Sequence, residues 1–120
     1  MDAEKWYTRP IFSVSDMGEA LRHYCDRLGF SRAWAYEEEG KTIVTQVNMG
    51  QFELILTSNL DRVGLGRIFV SLEKWEVVNL AKRIDESGIQ TEQFFWGYPS
   101  IRIQDPDGNE MIIPQEFEEE

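Results

Sequence analysis

The sequence predicts an α+β fold of two βαβββ repeats that form a cupped mixed β-sheet with helices on the outer faces. The first observation behind this prediction is an internal repeat, since residues 66–72 (Gly-Arg-Ile-Phe-Val-Ser-Leu) resemble residues 9–14 (Arg-Pro-Ile-Phe-Ser-Val). The second is that each run precedes a helix-like segment that ends at a glycine, Gly29 or Gly88, followed by further strands. Helix signals between strands of this kind are typical of α+β domains.

The repeat also predicts the domain organisation. The two halves are placed at about residues 7–60 and 66–115, within a single domain covering 1–120, and residues 59–64 connect them. A chain of 120 residues can bury one core but is too short for two.

The first helix is predicted after Asp16, which has capping-box spacing to Glu19. Its apolar residues recur at helical spacing, and so do those of the second helix. The first set is Met17, Ala20, Leu21, Tyr24 and Leu28, and the second is Trp75, Val78, Ala81 and Ile84, so Trp75 is expected in the core. The only histidine, His23, lies off the first set and is expected at the surface.

Strands are predicted at about 31–38, 41–49, 52–58, 89–95, 98–104 and 109–114. Residues 105–109, Asp-Pro-Asp-Gly-Asn, are a run of turn formers between β-forming segments and predict a tight hairpin between the last two strands. The acidic run Glu37-Glu38-Glu39 before Gly40 predicts another hairpin turn, with the alternative that its charge lies beside a ligand site.

Alternation along the strands predicts which side chains face the helices. Phe12 and Val14 share one face of the first strand, and Ile68 and Val70 share one face of the fifth. These apolar faces should pack on the helices. The opposite faces, which carry Arg9, Ile11 and Ser13 in one half and Arg67, Phe69 and Ser71 in the other, should line the concave side.

Composition excludes several classes of function. The chain has 12 basic and 22 acidic residues, a net charge of −10, which would repel the phosphates of nucleic acid and attract a cationic partner. No apolar stretch approaches the ~20 residues of a membrane span, and the N-terminus lacks a signal-peptide core. The single Cys25 excludes an internal disulfide, so the protein is expected in the cytoplasm.

Taken together, the motifs resemble the vicinal-oxygen-chelate superfamily. That group includes glyoxalase I, extradiol dioxygenases, fosfomycin-modifying enzymes and bleomycin resistance proteins. The resemblance is carried by the Arg9-Pro10 strand, by residues 26–32 (Asp-Arg-Leu-Gly-Phe-Ser-Arg), by Trp96-Gly97 and by the Asp-Pro-Asp-Gly-Asn turn. In this order the motifs are most similar to the bleomycin-resistance branch, and they cover nearly the whole chain.

In the metal-dependent members, four ligands stand on the first, fourth, fifth and eighth strands. The motifs carry these positions onto Arg9, Glu53, Arg67 and Ile112. A guanidinium has no lone pair to offer, and isoleucine has no donor atom. The resemblance therefore implies neither a metal nor another cofactor, and no catalytic residue. No Ser-His-Asp or Cys-His arrangement supplies a different enzymatic site.

The bleomycin-resistance branch implies a homodimer that sequesters a flat, cationic antibiotic in clefts at the subunit interface. Such a ligand needs aromatic stacking faces and negative potential. Pro10 cannot donate a ladder hydrogen bond, so the first strand should lie at a sheet edge or exchange between subunits. The predicted ligand-binding residues are Trp34, Tyr36, Glu53, Arg67, Phe69, Trp96, Tyr98 and Arg102.

Two alternatives stay open. Arg9, Arg67 and Arg102 point toward the predicted cup with Glu53 as their obvious partner, so they would suit an anionic ligand of a binding or regulatory module. They could instead form an internal Arg–Glu–Arg network at the vacated metal position. A metal-dependent lyase or isomerase is the least favoured function, because three of the four ligand positions are replaced.

Overall fold

A computed structural model describes residues 7–95 and 97–114, and these contain eight strands and two α-helices in a βαβββ pattern that occurs twice. The first half consists of β1 (Ile11–Ser13), α1 (Met17–Leu21), a π-helical continuation (Arg22–Arg27), β2 (Ser31–Glu38), β3 (Lys41–Met49) and β4 (Phe52–Thr57). A 3-10 turn at Leu60–Arg62 leads to β5 (Arg67–Phe69), α2 (Lys74–Ser87), β6 (Thr91–Phe95), β7 (Pro99–Gln104) and β8 (Glu110–Pro114). None of the helices in these ranges is both long and apolar enough to cross a membrane.

The strands form two four-stranded mixed sheets with the orders β1-β4-β3-β2 and β5-β8-β7-β6. In each sheet the first pair, β1 with β4 or β5 with β8, is parallel and the other pairs are antiparallel. The α+β prediction is confirmed, with the difference that hydrogen bonds create two sheets instead of one. Strand β1 lies at a sheet edge, as Pro10 predicted, and an isolated bridge between Ser13 and Val63 joins it to the connector.

The buried faces of β1 and β5 follow the predicted alternation. Phe12 and Val14 are buried in the core, while Ile11 between them is 62% exposed. Ile68 packs against the same core, and its neighbours Arg67 and Phe69 are exposed. The helices therefore cover one side of each sheet, and the polar and aromatic side chains lie on the side opposite the helices.

The first helix begins as predicted, with the Asp16 carboxylate accepting a hydrogen bond from the Glu19 amide at 3.1 Å. The prediction that His23 is exposed is wrong, because its residue exposure is 3%. The helix widens into a π-helical segment, in which the Leu28 amide donates to the His23 carbonyl five residues earlier. This wider turn brings His23 and Tyr24 inward together, with their rings edge-to-face.

The predicted apolar stripe of α2 is also wrong in part. Ile84 is buried, but Trp75 and Val78 are 59% and 60% exposed, and the buried face instead contains Glu76 and Leu80. Because Glu76 is charged, the apolar pattern of the sequence does not predict it in the buried face. Its carboxylate is satisfied by the capping box, where it accepts a hydrogen bond from the Glu73 amide at 3.2 Å.

A buried polar network at the Asp105–Asn109 turn joins the two halves. The Tyr24 hydroxyl donates to Asp105 Oδ2 at 2.9 Å, and Asp105 also accepts hydrogen bonds from the backbone and side chain of Asn109. Asn109 Nδ2 further donates to the Ser13 carbonyl at 3.0 Å, and the Ser15 hydroxyl donates to Asp107 at 2.6 Å. The predicted hairpin is confirmed, and it also connects the C-terminal sheet to β1 and the first helix.

Candidate functional site

The predicted ligand residues fall into two groups on the side opposite the helices. Trp34, Tyr36 and Glu53 belong to the N-terminal sheet, while Arg67, Phe69 and Arg102 belong to the C-terminal sheet. Tyr98 precedes β7 and is 40% exposed. Trp96 lies outside the described residues. The chain by itself therefore presents two candidate faces, each on its own sheet.

Gln46 organises the N-terminal face. Its Oε1 accepts hydrogen bonds from the Trp34 indole at 2.9 Å and from Arg9 Nη1 at 3.1 Å, and its amide nitrogen donates to Asn48 at 3.0 Å. Gln46 is 4% exposed, so these bonds are fixed in a dry environment, whereas Trp34 is 42% exposed. The indole edge is thus held in place while part of its ring stays open. Sequence reasoning missed Gln46, although β3 alternation puts it on this face.

Glu53 lies on the same face with an incompletely satisfied carboxylate. Its register partner is Asn48, and Trp34 pairs with Gln46, so Glu53 and Trp34 stand diagonally across β3. Glu53 Oε1 is buried and accepts no hydrogen bond from the described residues; Arg9 Nε approaches it at 4.0 Å. A buried carboxylate oxygen without a donor is costly, and a ligand that supplies a donor would relieve this cost.

Strand β2 is exposed along all eight of its residues. Tyr36 is 53% exposed, and its hydroxyl donates to Glu38 at 3.0 Å. The strand ends in a turn at Glu39 and Gly40, which have φ values of 51° and 77°. The predicted hairpin is confirmed at residues 37–40, and Glu37 and Glu38 pair with Thr42 and Lys41 across it.

A chain of charged side chains crosses the C-terminal face. Arg67 Nε lies 2.8 Å from Glu110 Oε1, Arg102 Nη1 lies 3.4 Å from Glu110 Oε2, and Arg102 also pairs with Glu92. The expectation that Arg67 and Arg102 pair with Glu53 is wrong, because β5–β8 register places Arg67 opposite Glu110 while Glu53 belongs to the other sheet. An Arg–Glu–Arg network does form, but around Glu110.

The guanidiniums of Arg67 and Arg102 keep Glu110 ionised. Burial raises the pKa of this carboxyl. Hydrogen bonds from Arg67 and Gln104 and the positive charges of Arg67 and Arg102 lower the pKa by more than burial raises it, so the net shift is downward. Within residues 7–95 and 97–114, this network therefore contains two cations and two carboxylates, counting Glu92, and is close to electrically neutral. The aromatic ring of Phe69, 50% exposed and two residues from Arg67 on the same strand, lies beside it.

The glyoxalase/bleomycin resistance protein/dioxygenase superfamily model matches residues 6–113. The chain belongs to this superfamily. The predicted resemblance is therefore confirmed, and the match includes both βαβββ halves. A search of curated proteins found no match.

Solved structures of superfamily members share the fold at low sequence identity. The antibiotic-binding protein TnmS3 from Streptomyces sp. CB03234 has a TM-score of 0.74 at 19% identity, with 98% of this chain and 100% of that chain covered. A bleomycin-binding protein in complex with bleomycin has a TM-score of 0.70 at 18% identity, covering 94% and 100%. Lactoylglutathione lyase from Agrobacterium tumefaciens has a TM-score of 0.69 at 19% identity, covering 94% and 95%. The superfamily fold thus occurs in binding proteins and in enzymes.

The residues that the resemblance assigns to the metal positions do not fit a divalent cation. Arg9 and Arg67 are already paired with Gln46 and Glu110, and Ile112 is fully buried. Glu53 is the one position with a ligand atom. Among residues 7–95 and 97–114, no group of three His, Cys, Asp or Glu side chains is arranged to hold a metal ion.

A cavity of about 770 Å³ lies between the residues before β1, the β3–β4 turn and the start of α2. Phe69 and the exposed Trp75 contribute to its wall. Its carboxylates are engaged internally, since Glu73 accepts a hydrogen bond from the Trp75 indole at 2.9 Å and Glu76 accepts one from the Glu73 amide. The lining also includes Thr8, Arg9, Gln51 and Ser71, so the cavity presents both polar and apolar surface.

Proposed function

We propose that this superfamily member is a non-catalytic binding protein that sequesters a planar, cationic antibiotic of the bleomycin type and thereby confers resistance. The observation that carries the proposal is that Trp34 and Glu53 lie on the same sheet face. A half-exposed indole offers a stacking surface, and a carboxylate oxygen that lacks a donor offers a partner for a cationic N–H group.

The geometry matches the size of such a ligand. Trp34 and Glu53 are separated by two strand spacings, roughly 10 Å, so an extended planar molecule is needed to contact both. Tyr36 follows Trp34 on the same face of β2 and provides a second exposed ring. Each well-placed aromatic pair contributes about 0.5–1.5 kcal/mol beyond the burial of area.

Electrostatics favour a cation over an anion. The arginines that could attract an anion already have partners: Arg9 donates to Gln46 and lies 4.0 Å from Glu53, and Arg67 and Arg102 pair with Glu110. The net charge of −10 raises the local concentration of cations and accelerates their association. The alternative ligand class, a carboxylate held by these guanidiniums, would have to displace Glu110 first.

A homodimer would complete the site. The two groups of predicted ligand residues lie on separate sheets. Exposed aromatic faces of this kind usually mark an interface. A two-fold arrangement would place the Phe69 face of one subunit over the Trp34 face of its partner, giving two equivalent clefts. Exchange of the edge strand near Pro10 is one way to join the subunits. We place the protein in the cytoplasm, which keeps Cys25 reduced.

The experiment that tests this function is a titration of the protein with metal-free bleomycin, followed by tryptophan fluorescence and calorimetry. We expect micromolar or tighter binding at two ligands per dimer. Trp34→Ala and Glu53→Gln should each weaken binding by about tenfold, the loss expected for one stacked ring or one charged hydrogen bond.

Trp75→Ala is the matched control, because Trp75 is also exposed and its indole is also held by a side chain, but it belongs to α2 and not to the sheet face of Trp34. The control should bind bleomycin as the unchanged protein does. No binding at millimolar bleomycin, together with capture of a small carboxylate, would favour the alternative ligand class. Loss of binding in Trp75→Ala alone would move the site to the 770 Å³ cavity.

A further inference from the structure

Glu110 holds the central position in the charged chain of the C-terminal sheet. Its Oε1 accepts a hydrogen bond from Arg67 at 2.8 Å, its Oε2 accepts one from Gln104 at 3.0 Å, and Arg102 Nη1 forms an ion pair with Oε2 at 3.4 Å. The Glu110 side chain is 11% exposed, whereas the side chain of Arg67 is 54% exposed. A single shielded carboxylate thus neutralises a cation that is accessible to ligands.

A ligand bound to this face would contact Arg67. Arg67 and Phe69 alternate with Ile68, which packs on the core, so both project from the side opposite the helices. A planar molecule stacked on Phe69 would carry its charged substituent within reach of Arg67. Whether a carboxylate neutralises the Arg67 guanidinium therefore influences which charge the ligand can have.

We propose that Glu110 is the charge-selectivity residue of this site: by neutralising Arg67 and Arg102 it makes the C-terminal face accept cationic or neutral planar ligands and reject anionic ones. This inference rests on the proposed function, because it concerns the same aromatic faces. It assigns to Glu110 a role that none of the superfamily's metal positions has, since the position carried over from the metal ligands on this strand is Ile112.

The physical basis is the strength of bidentate pairing between a guanidinium and a carboxylate. While Glu110 is ionised, a ligand carboxylate must compete with it for Arg67 and also suffers its repulsion. Without that charge, the carboxylate that still pairs with Arg102 among the described residues is Glu92, which is 64% exposed and therefore screened by solvent. The face would change from neutral to cationic.

The test uses two probes that differ in charge and share one ring system, 1-pyrenemethylammonium and 1-pyrenecarboxylate. The unchanged protein should prefer the ammonium probe. Glu110→Gln keeps the shape and an oxygen acceptor for Arg67, and it should raise the affinity for the carboxylate probe by about tenfold, the value of one charged hydrogen bond. Adding Arg67→Gln to this variant should remove the gain, and 0.5 M salt should reduce it.

Glu92→Gln is the matched control, since it removes one carboxylate from the exposed end of the same chain and should change the affinity for either probe by less than about threefold. Gln104→Glu provides an independent variant with the opposite sign: a second carboxylate beside Glu110 should weaken 1-pyrenecarboxylate binding further. Circular dichroism and thermal unfolding verify that each variant is folded.

Unchanged carboxylate affinity in folded Glu110→Gln, or an equal gain in Glu92→Gln, would overturn the inference. The proposed function has a separate outcome. If the unchanged protein fails to bind bleomycin while Glu110→Gln gains the carboxylate probe, the selectivity role stands and the antibiotic proposal falls. If bleomycin binds and Glu110→Gln gains nothing, the antibiotic proposal stands and the selectivity role falls.

Discussion

The hydroxyl of Tyr24 donates to Asp105 Oδ2 across 81 positions of sequence, at 2.9 Å in a buried environment. Through this bond the first helix contacts the turn that closes the C-terminal sheet. Asp105 also accepts from Asn109, which donates to the Ser13 carbonyl on β1. The two halves are thus joined by a polar network in addition to apolar packing.

Replacing Tyr24 by Phe should destabilise the protein by about 1–3 kcal/mol, because Asp105 would lose a donor in a buried site. The free energy of unfolding, measured in urea, gives this value directly. Tyr36→Phe is the matched control, since its hydroxyl bonds to Glu38 at the exposed end of β2. Its effect should stay within about 0.5 kcal/mol. Equal losses in the two variants would contradict a special role for the Asp105 network.

His23 should make the stability fall in mild acid. Burial lowers the pKa of this imidazole to about 4 from 6.5, with Arg27 adding to the shift and Asp105 opposing it. Between pH 6.5 and about 4 the His23 imidazole is protonated in the unfolded chain but neutral in the folded chain. The free energy of unfolding from this group therefore decreases as pH falls through that range, by up to ~1.4 kcal/mol per unit.

Two measurements check this pH dependence. The chain has one histidine, so its imidazole proton resonance titrates without overlap from any other histidine and reports the folded pKa. Urea unfolding at pH 7 and pH 5 reports the linkage, and His23→Gln should remove the His23 part of the difference. A resonance that titrates near 6.5 would show that His23 is solvated.

A side chain at Gly50 should be poorly tolerated. Gly50 has a φ of 60°, and a Cβ there would collide with the Glu76 carboxylate. We expect Gly50→Ala to cost about 2 kcal/mol or more, combining left-handed backbone strain with this overlap. Gly40→Ala is the control, because Gly40 has a φ of 77° but nothing within 4 Å of its Cβ position. Similar unfolding free energies for the two variants would rule out the collision.

The proposed dimer predicts a concentration-dependent mass in analytical ultracentrifugation. Ile11 is 62% exposed on the side opposite the helices, so Ile11→Asp should shift the equilibrium toward monomer. Val78, 60% exposed on α2, gives the control Val78→Asp, which should leave the mass unchanged. An unchanged protein that sediments as a monomer at every concentration would remove the shared cleft from the proposal.

Local patterns were sufficient to predict the fold. Turn formers marked the Asp105–Asn109 hairpin, glycines marked the helix ends, and alternation separated Phe12 from Ile11 and Ile68 from Arg67. These features depend on residues close in sequence, whose preferences can be read without knowing the tertiary contacts.

The errors arose where long-range contacts override local preference. A carboxylate took a place in the buried stripe of α2 because the capping box satisfied it, and this left Trp75 exposed. Arg67 pairs with Glu110, 43 residues away, because of a parallel register that no local pattern specifies. Sequence analysis therefore predicted which side chains lie on the side opposite the helices, but not the way in which their charges are distributed.

The burial of Ile112 affects how this lineage can change. Its side chain is fully buried and pairs in register with Phe69 and Arg102. Introducing a glutamate there would place a carboxylate in a packed, dry position before any metal could compensate for it, at a cost of several kcal/mol. Arg9 and Arg67 would have to change as well. Acquiring a metal ligand at this position would thus pass through unstable intermediates, so packing makes this change hard to reach one substitution at a time.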